Sequence, residues 1–107
     1  MGKTVEFNAK YLDQLIEEAT TDAYNESERA GGFFAMIEES LALPFVTQVL
    51  GQDVTVTKVD ITKRDQIVAI CVRGKARQAI LILELPLPVP RPEGAEWIDA
   101  YRRWYGD

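Results

Sequence analysis

Seven carboxylates lie within residues 17–45, on Glu17, Glu18, Asp22, Glu26, Glu28, Glu38 and Glu39, against a single base, Arg29. Such a density of hard oxygen donors can bind a cation, transfer protons as paired acids, or simply face water. Calcium suits it best among cations, because it takes roughly six to eight oxygen ligands and tolerates irregular geometry. Glu18, Asp22 and Glu26 are four apart, which stacks them along one ridge of a helix that runs through all three. Like charges at that spacing repel by a few tenths of a kcal/mol each unless a cation intervenes. Spacing alone leaves ligation and solvation both open.

Other chemistries are closed off by what the chain lacks. It has no histidine, which removes imidazole bases, imidazole metal ligands and the Ser-His-Asp arrangement together. Cys71 is its one cysteine, so there is neither an internal disulfide nor a thiolate zinc cage. It sits in an apolar run, where a small buried thiol is expected. No phosphate-binding glycine loop, dinucleotide fingerprint or H-E-x-x-H occurs. An EF-hand loop begun at Asp22 would place Tyr24, Ser27 and Phe33 where that loop needs an oxygen, a glycine and a glutamate. Any calcium site here is of another kind.

The elements that must position these acids are legible from period. Asn8 is a plausible N-cap, and Leu12, Leu15, Ile16, Ala19 and Ala23 follow at helical spacing, predicting a helix from about Ala9 to about Asn25. Asp13 and Glu17 fall on its solvent side. Ala30, Phe33, Phe34, Ile37 and Leu41 repeat the same spacing in a second helix that begins between Glu26 and Gly32. Its Gly31-Gly32 pair either lets the helices approach closely or marks the true start. Pro44 closes it, because the residue before proline avoids the α region. An antiparallel hairpin of the two would carry Glu38 and Glu39 back toward the start of helix one.

From Phe45 onward the period becomes strand-like. Phe45–Leu50 is a short strand, and residues 53–61 form another whose apolar phase flips near Thr57-Lys58, as a bulge would require. Gln66–Arg73 and Ala76–Leu83 are two further strands joined by a tight turn at Gly74. Both are apolar in both phases, which predicts cover on both faces. Residues 84–92 carry proline at alternate positions from Pro86 to Pro92, an extended arm that cannot pair inside a sheet. Residues 95–105 make a final helix with Trp97, Ile98, Tyr101, Trp104 and Tyr105 on one side, which should dock on the body. Lys3–Phe7 reads as a short lead-in.

With 107 residues, 47% apolar and 27% charged, the chain is long enough for one domain with its own core. Residues 1–50 hold nine acids and three bases, a balance of −6, while residues 51–107 hold eight and nine, a balance of +1. The acidic half repels nucleic acid and anionic membrane and favours cations or basic partners. No apolar run approaches the ~20 residues of a membrane span, and the start does not read as a signal peptide, so a cytoplasmic location is expected.

One stretch also resembles a known family. Asp22, Ala23, Tyr24, Glu28, Gly32, Phe33 and Phe34, followed by Glu38, Glu39, Leu41, Pro44 and Phe45, resemble the small acidic prokaryotic calcium-binding proteins of the CcbP type. The specific likeness spans roughly residues 15–45, and beyond it only the pattern of strands matches. The resemblance implies a calcium binder without EF-hands, a helical part and a small SH3-like β part. By position it implicates Asp22, Glu28, Glu38 and Glu39 as metal ligands. Two departures stand out. The connection Thr62-Lys63-Arg64-Asp65 carries two bases where the family is more acidic, which argues against a second cation site there. Glu39 stands where a shorter acid is expected.

The expected architecture is α+β: an acidic helical hairpin over residues 8–43, a four-stranded antiparallel sheet or SH3-like open barrel over 45–85, a proline arm over 86–94 and a docked helix over 95–105. The expected function is reversible calcium binding by clustered carboxylates, as a buffer or signal-coupled module and not as an enzyme. The alternative is a metal-free protein interaction module using the acidic hairpin or the proline arm.

Overall fold

Residues 8–106 are described by the structure, a computed structural model, and the reading of Lys3–Phe7 lies outside them. Helix α1 spans Ala9–Thr20 and α2 spans Glu26–Ser40. Strands β1 (Phe45–Val49), β2 (Gln52–Ile61), β3 (Ile67–Arg73) and β4 (Ala76–Leu81) follow, then helix α3 (Ala95–Gly106). The architecture is α+β, with every strand antiparallel to its neighbour in the order β1-β2-β3-β4. Edge strands β1 and β4 do not pair among the described residues, so the β part is an open sheet and not a closed barrel.

Helix α1 begins where its capping residue dictates, with Asn8 Oδ1 accepting the Tyr11 amide at 2.8 Å. It turns Leu12, Leu15 and Ala19 inward. Helix α2 buries Ala30, Phe33 and Ile37, the i, i+3, i+7 face read from sequence, and lies on β2. Helix α1 packs across α2 and α3. Gly32 makes the first of these contacts possible: a Cβ there would run into the Ala19 carbonyl, whereas Gly31 meets nothing. Close approach, and not a helix start, is the reason for the second glycine.

The sheet's core face is built from Val56, Val59, Ile67, Ala69 and Cys71. Val56 pairs with Cys71 and Lys58 with Ile70, leaving Thr57 as one extra residue in β2. That bulge lets Val54 and Val56 share a face with Val59 and Ile61. Central strand β3 is covered on both faces, its first five residues all buried. Strand β4 is not: Ala76–Ala79 are exposed, and only Ile80 and Leu81 are half-buried. The apolar run expected to lie inside β4 is used beyond it, where Ile82 and Leu85 are fully buried as the chain leaves the sheet.

Thr47, a buried polar residue of β1, donates its Oγ1 hydrogen to the Pro86 carbonyl at 2.6 Å, which holds the start of the proline arm beside that edge. Arg102 anchors the residues that lead into the arm, its Nε and Nη2 donating to the Ile82 carbonyl at 3.1 and 2.8 Å and Nη2 to that of Leu85 at 2.6 Å. Helix α3 docks as its aromatic stripe requires. Tyr101 and Trp104 lie 5.5 and 5.0 Å from Phe33, ring centre to ring centre, an interaction of the aromatic-pair kind.

Candidate metal centre

Helix α1 ends five residues earlier than its apolar period implies. Thr20 and Thr21 turn their hydroxyls back onto the Ile16 and Glu17 carbonyls at 2.8 and 2.7 Å, an arrangement that competes with continued helix. Asp22 then adopts φ +65°, the left-handed region where aspartate is among the tolerated residues. The ridge expected of Glu18, Asp22 and Glu26 is therefore broken: Glu18 stays on α1, Asp22 lies in the connection, and Glu26 opens α2.

Asn25 caps α2, its Oδ1 accepting the Glu28 amide at 2.8 Å. Glu28 Oε1 reciprocates one residue upstream, accepting the Tyr24 amide at 2.6 Å, a close relative of the capping box. Glu26 and Glu28 both sit in the first turn, where the helix dipole favours negative charge. Glu28 thus has a structural role that accounts for its carboxylate without a metal.

Glu38 and Glu39 lie at the other end of α2, exposed, in a last turn that contains no base. The helix dipole is negative there, so two glutamates add to a potential that already attracts cations. The backbone beside them is held by a distant segment. Ala42 donates its amide to the Glu93 carbonyl at 2.8 Å, and Gly94, at φ +91°, fits against the Ser40 carbonyl where any Cβ would collide. Glu93, exposed and some fifty residues downstream, joins this end of the helix. Nothing in local spacing signals it, because only the tertiary fold brings the arm back to α2.

The four acids do not meet at one point. Ten residues separate Glu28 from Glu38 along α2, a rise of roughly 15 Å, whereas calcium–oxygen distances are about 2.3–2.6 Å. Asp22 and Glu28 share the N-terminal side of α2, and Glu38 and Glu39 its C-terminal end. Convergence of all four on one ion, as the hairpin reading allowed, is ruled out by helix length. Among the described residues, no three acidic or cysteine side chains are gathered closely enough to hold a metal unaided.

Two solved structures share the fold of this chain. The crystal structure of Anabaena CcbP superposes with a TM-score of 0.71 at 15% identity, covering 96% of this chain and 95% of that one. A calcium-binding protein in its calcium-binding form superposes at 0.73 and 17% identity, covering 98% and 96%. The chain has the CcbP-like fold. No family model matches the sequence, and no curated protein matches it either.

Within this CcbP-like fold the β2–β3 connection comes to the start of α2. Glu26, Arg64, Asp65, Gln66, Trp104 and Tyr105 line a cleft there of about 240 Å³. Asp65 takes φ +62°, and Thr62 Oγ1 accepts the amides of Arg64 and Gln66, both at 3.2 Å. Arg64 therefore shares the cleft with Glu26 and Asp65. A positive charge on that connection would oppose a divalent cation by like-charge repulsion. No helix among the described residues is long and apolar enough to cross a membrane.

Proposed function

We propose that this chain is a non-EF-hand calcium-binding protein, acting by reversible binding as a buffer or signal-coupled module and not by catalysis. The observation that carries the proposal is the likeness, over nearly the whole of both chains, to a protein solved in its calcium-binding form. Asp22, Glu28, Glu38 and Glu39 are the proposed carboxylate ligands, divided between the two ends of α2.

Electrostatics rank the two ends. At the C-terminal end the carboxylates of Glu38 and Glu39 have no hydrogen-bond or ion-pair partner among the described residues, and the last carbonyls of α2 point the same way. Calcium accepts carboxylates, carbonyls and water together, so two glutamates can anchor an ion whose remaining ligands are backbone and solvent. Glu93 lies close enough in the fold to strengthen that field. At the N-terminal end Glu28 Oε1 already accepts the Tyr24 amide, so its second oxygen is the one left for a cation, and Asp22 is the freer donor. The Glu38–Glu39 end is therefore the stronger of the two.

Calorimetric titration of demetallated protein with calcium tests this, beside the double variants Glu38→Gln/Glu39→Gln and Asp22→Asn/Glu28→Gln. Calcium should give a saturable heat and raise the melting temperature, since a ligand of the native state alone stabilises it by RT ln(1 + [L]/Kd). Magnesium should do less, because it demands stricter octahedral geometry. The first double variant should lose most of the heat and the second less. An unchanged melting temperature and no heat in millimolar calcium would sink the calcium reading.

A further inference from the structure

The end of the sheet that carries the β1–β2 and β3–β4 turns has a character unlike the rest of the molecule. Residues 66–83 contain three bases, Arg73, Lys75 and Arg77, and no acid, in a chain of net charge −5. None of the three takes part in an ion pair among the described residues. Beside them Val49, Leu50, Val54, Cys71 and Ile80 line an open groove of about 250 Å³, with Arg73 and Arg77 on its rim. Leu50 is 96% exposed and adopts φ +53° in the turn, a conformation and a setting that favour asparagine or glycine. An outlier of that kind, beside a groove, points to a use other than folding.

Strand β4 borders the same groove and is one of the two edges of the sheet. Ile82 donates its amide to the Ile67 carbonyl, one step beyond the Val68–Leu81 pair. By the alternation of an antiparallel ladder, the backbone N–H and C=O of Arg77 and Ala79 therefore point outward, away from β3. These residues are exposed, and nothing among the described residues takes up their outward groups. The strand carries no proline, and small side chains at Ala76 and Ala79 leave its edge open to another backbone.

We infer that the β4 edge docks an acidic, extended peptide segment of a partner protein, which adds as a fifth strand and sets one apolar side chain into the groove beneath Leu50. Main-chain pairing supplies affinity, and the groove and rim supply selectivity. Charge decides the occupant. A second copy of this chain pairing β4 to β4 would bring two sets of Arg73, Lys75 and Arg77 face to face, which is repulsive. An acidic strand meets those same bases as counter-ions.

The test uses the full chain and a short fluorescein-labelled peptide in which valine and leucine alternate with aspartate and glutamate, read by fluorescence anisotropy and by amide chemical shifts. Saturable binding is expected, with shifts confined to residues 49–54 and 71–81. Ala79→Pro removes an outward N–H without breaking a bond to β3, so the fold should survive and binding should fall about tenfold or more. Arg77→Glu, on an exposed side chain, should weaken binding by a similar factor. Equal binding of polyglutamate, or of the peptide by Ala79→Pro protein, would overturn strand addition. Binding to phosphatidylserine vesicles with none to the peptide would overturn the protein partner in favour of a membrane surface.

Discussion

Arg103 Nε donates to Asp13 Oδ1 at 2.9 Å, joining the last helix to the first across ninety residues of chain. By period Asp13 belongs to the solvent side of α1, and its side chain is indeed 59% exposed, yet it is tied down. A partly exposed pair of this kind is worth at most about 1 kcal/mol. Asp13→Asn should lower stability by no more than that in chemical denaturation, and the loss should shrink in molar salt. Calcium heats should be unaffected by it. Glu17→Gln is the cleaner control for net charge, because its carboxylate has no partner among the described residues.

Adjacent glycines should respond oppositely. Gly32→Ala forces a methyl into the Ala19 carbonyl and should cost about 1–3 kcal/mol, as overpacking of rigid backbone does. Gly31→Ala has open space and a helix interior around it, and should add about 0.5–1 kcal/mol. Urea midpoints of the two variants decide the matter, and equal shifts would show that α1 and α2 are not in contact there.

Helix-end electrostatics give a metal-free signature of the two acid groups. Without calcium, Glu38→Gln and Glu39→Gln should leave stability equal or slightly higher, because each removes a negative charge from the negative end of α2. Glu28→Gln should lower it by about 0.5–1 kcal/mol through weakened capping. Thermal melts in a strong chelator read both directions.

Leu50→Asn should stabilise the protein by about 1 kcal/mol, since asparagine tolerates the left-handed turn position that leucine occupies at φ +53°. The same change should weaken peptide capture at the neighbouring groove. A stabilised variant with undiminished capture would separate the turn from the docking surface.

Alkaline behaviour follows from two buried acids. Burial raises the pKa of the Cys71 thiol above its ordinary 9.0, and burial raises that of the Tyr101 hydroxyl above 10.0 against an opposing hydrogen bond to the Ile67 backbone. The native state thus holds these protons more tightly than the unfolded chain. Their contribution is complete below pH 9 and is lost as pH climbs through the raised native values. Tyrosinate absorbance should show Tyr101 ionising above the ordinary tyrosine value, together with loss of helical circular dichroism, and Cys71 should resist alkylation until then.

Much of this fold is written in local periods. Leu12, Leu15 and Ala19, and then Ala30, Phe33 and Ile37, announce their helices because burial on one face leaves a 3.6-residue signature. The phase change after Val56 announces the bulge for the same reason in strands. Ala23 continues the first helical period and misleads, since the interruption comes from hydroxyls on Thr20 and Thr21 bonding back to the backbone, which no hydrophobic period records. Ile80 and Leu81 mislead similarly: a run apolar in both phases signals burial, but here the run leaves the sheet before its most buried members. The grouping of acids was the least legible part, because it turns on where one short connection falls and on Glu93 returning from far along the chain.

The extra residue in β2 has an arithmetical consequence. Strike out Thr57 and the remaining sequence from Val54 to Ile61 alternates without fault, valine or isoleucine inward and Thr55, Lys58 and Asp60 outward. Thr57 is an insertion into a finished pattern and no part of the pattern itself. A chain lacking it should still pair β2 with β3, but as a straighter ribbon with less local twist. The surface on which α2 rests would then be flatter, and the angle at which that helix carries its acids past the sheet would be set anew.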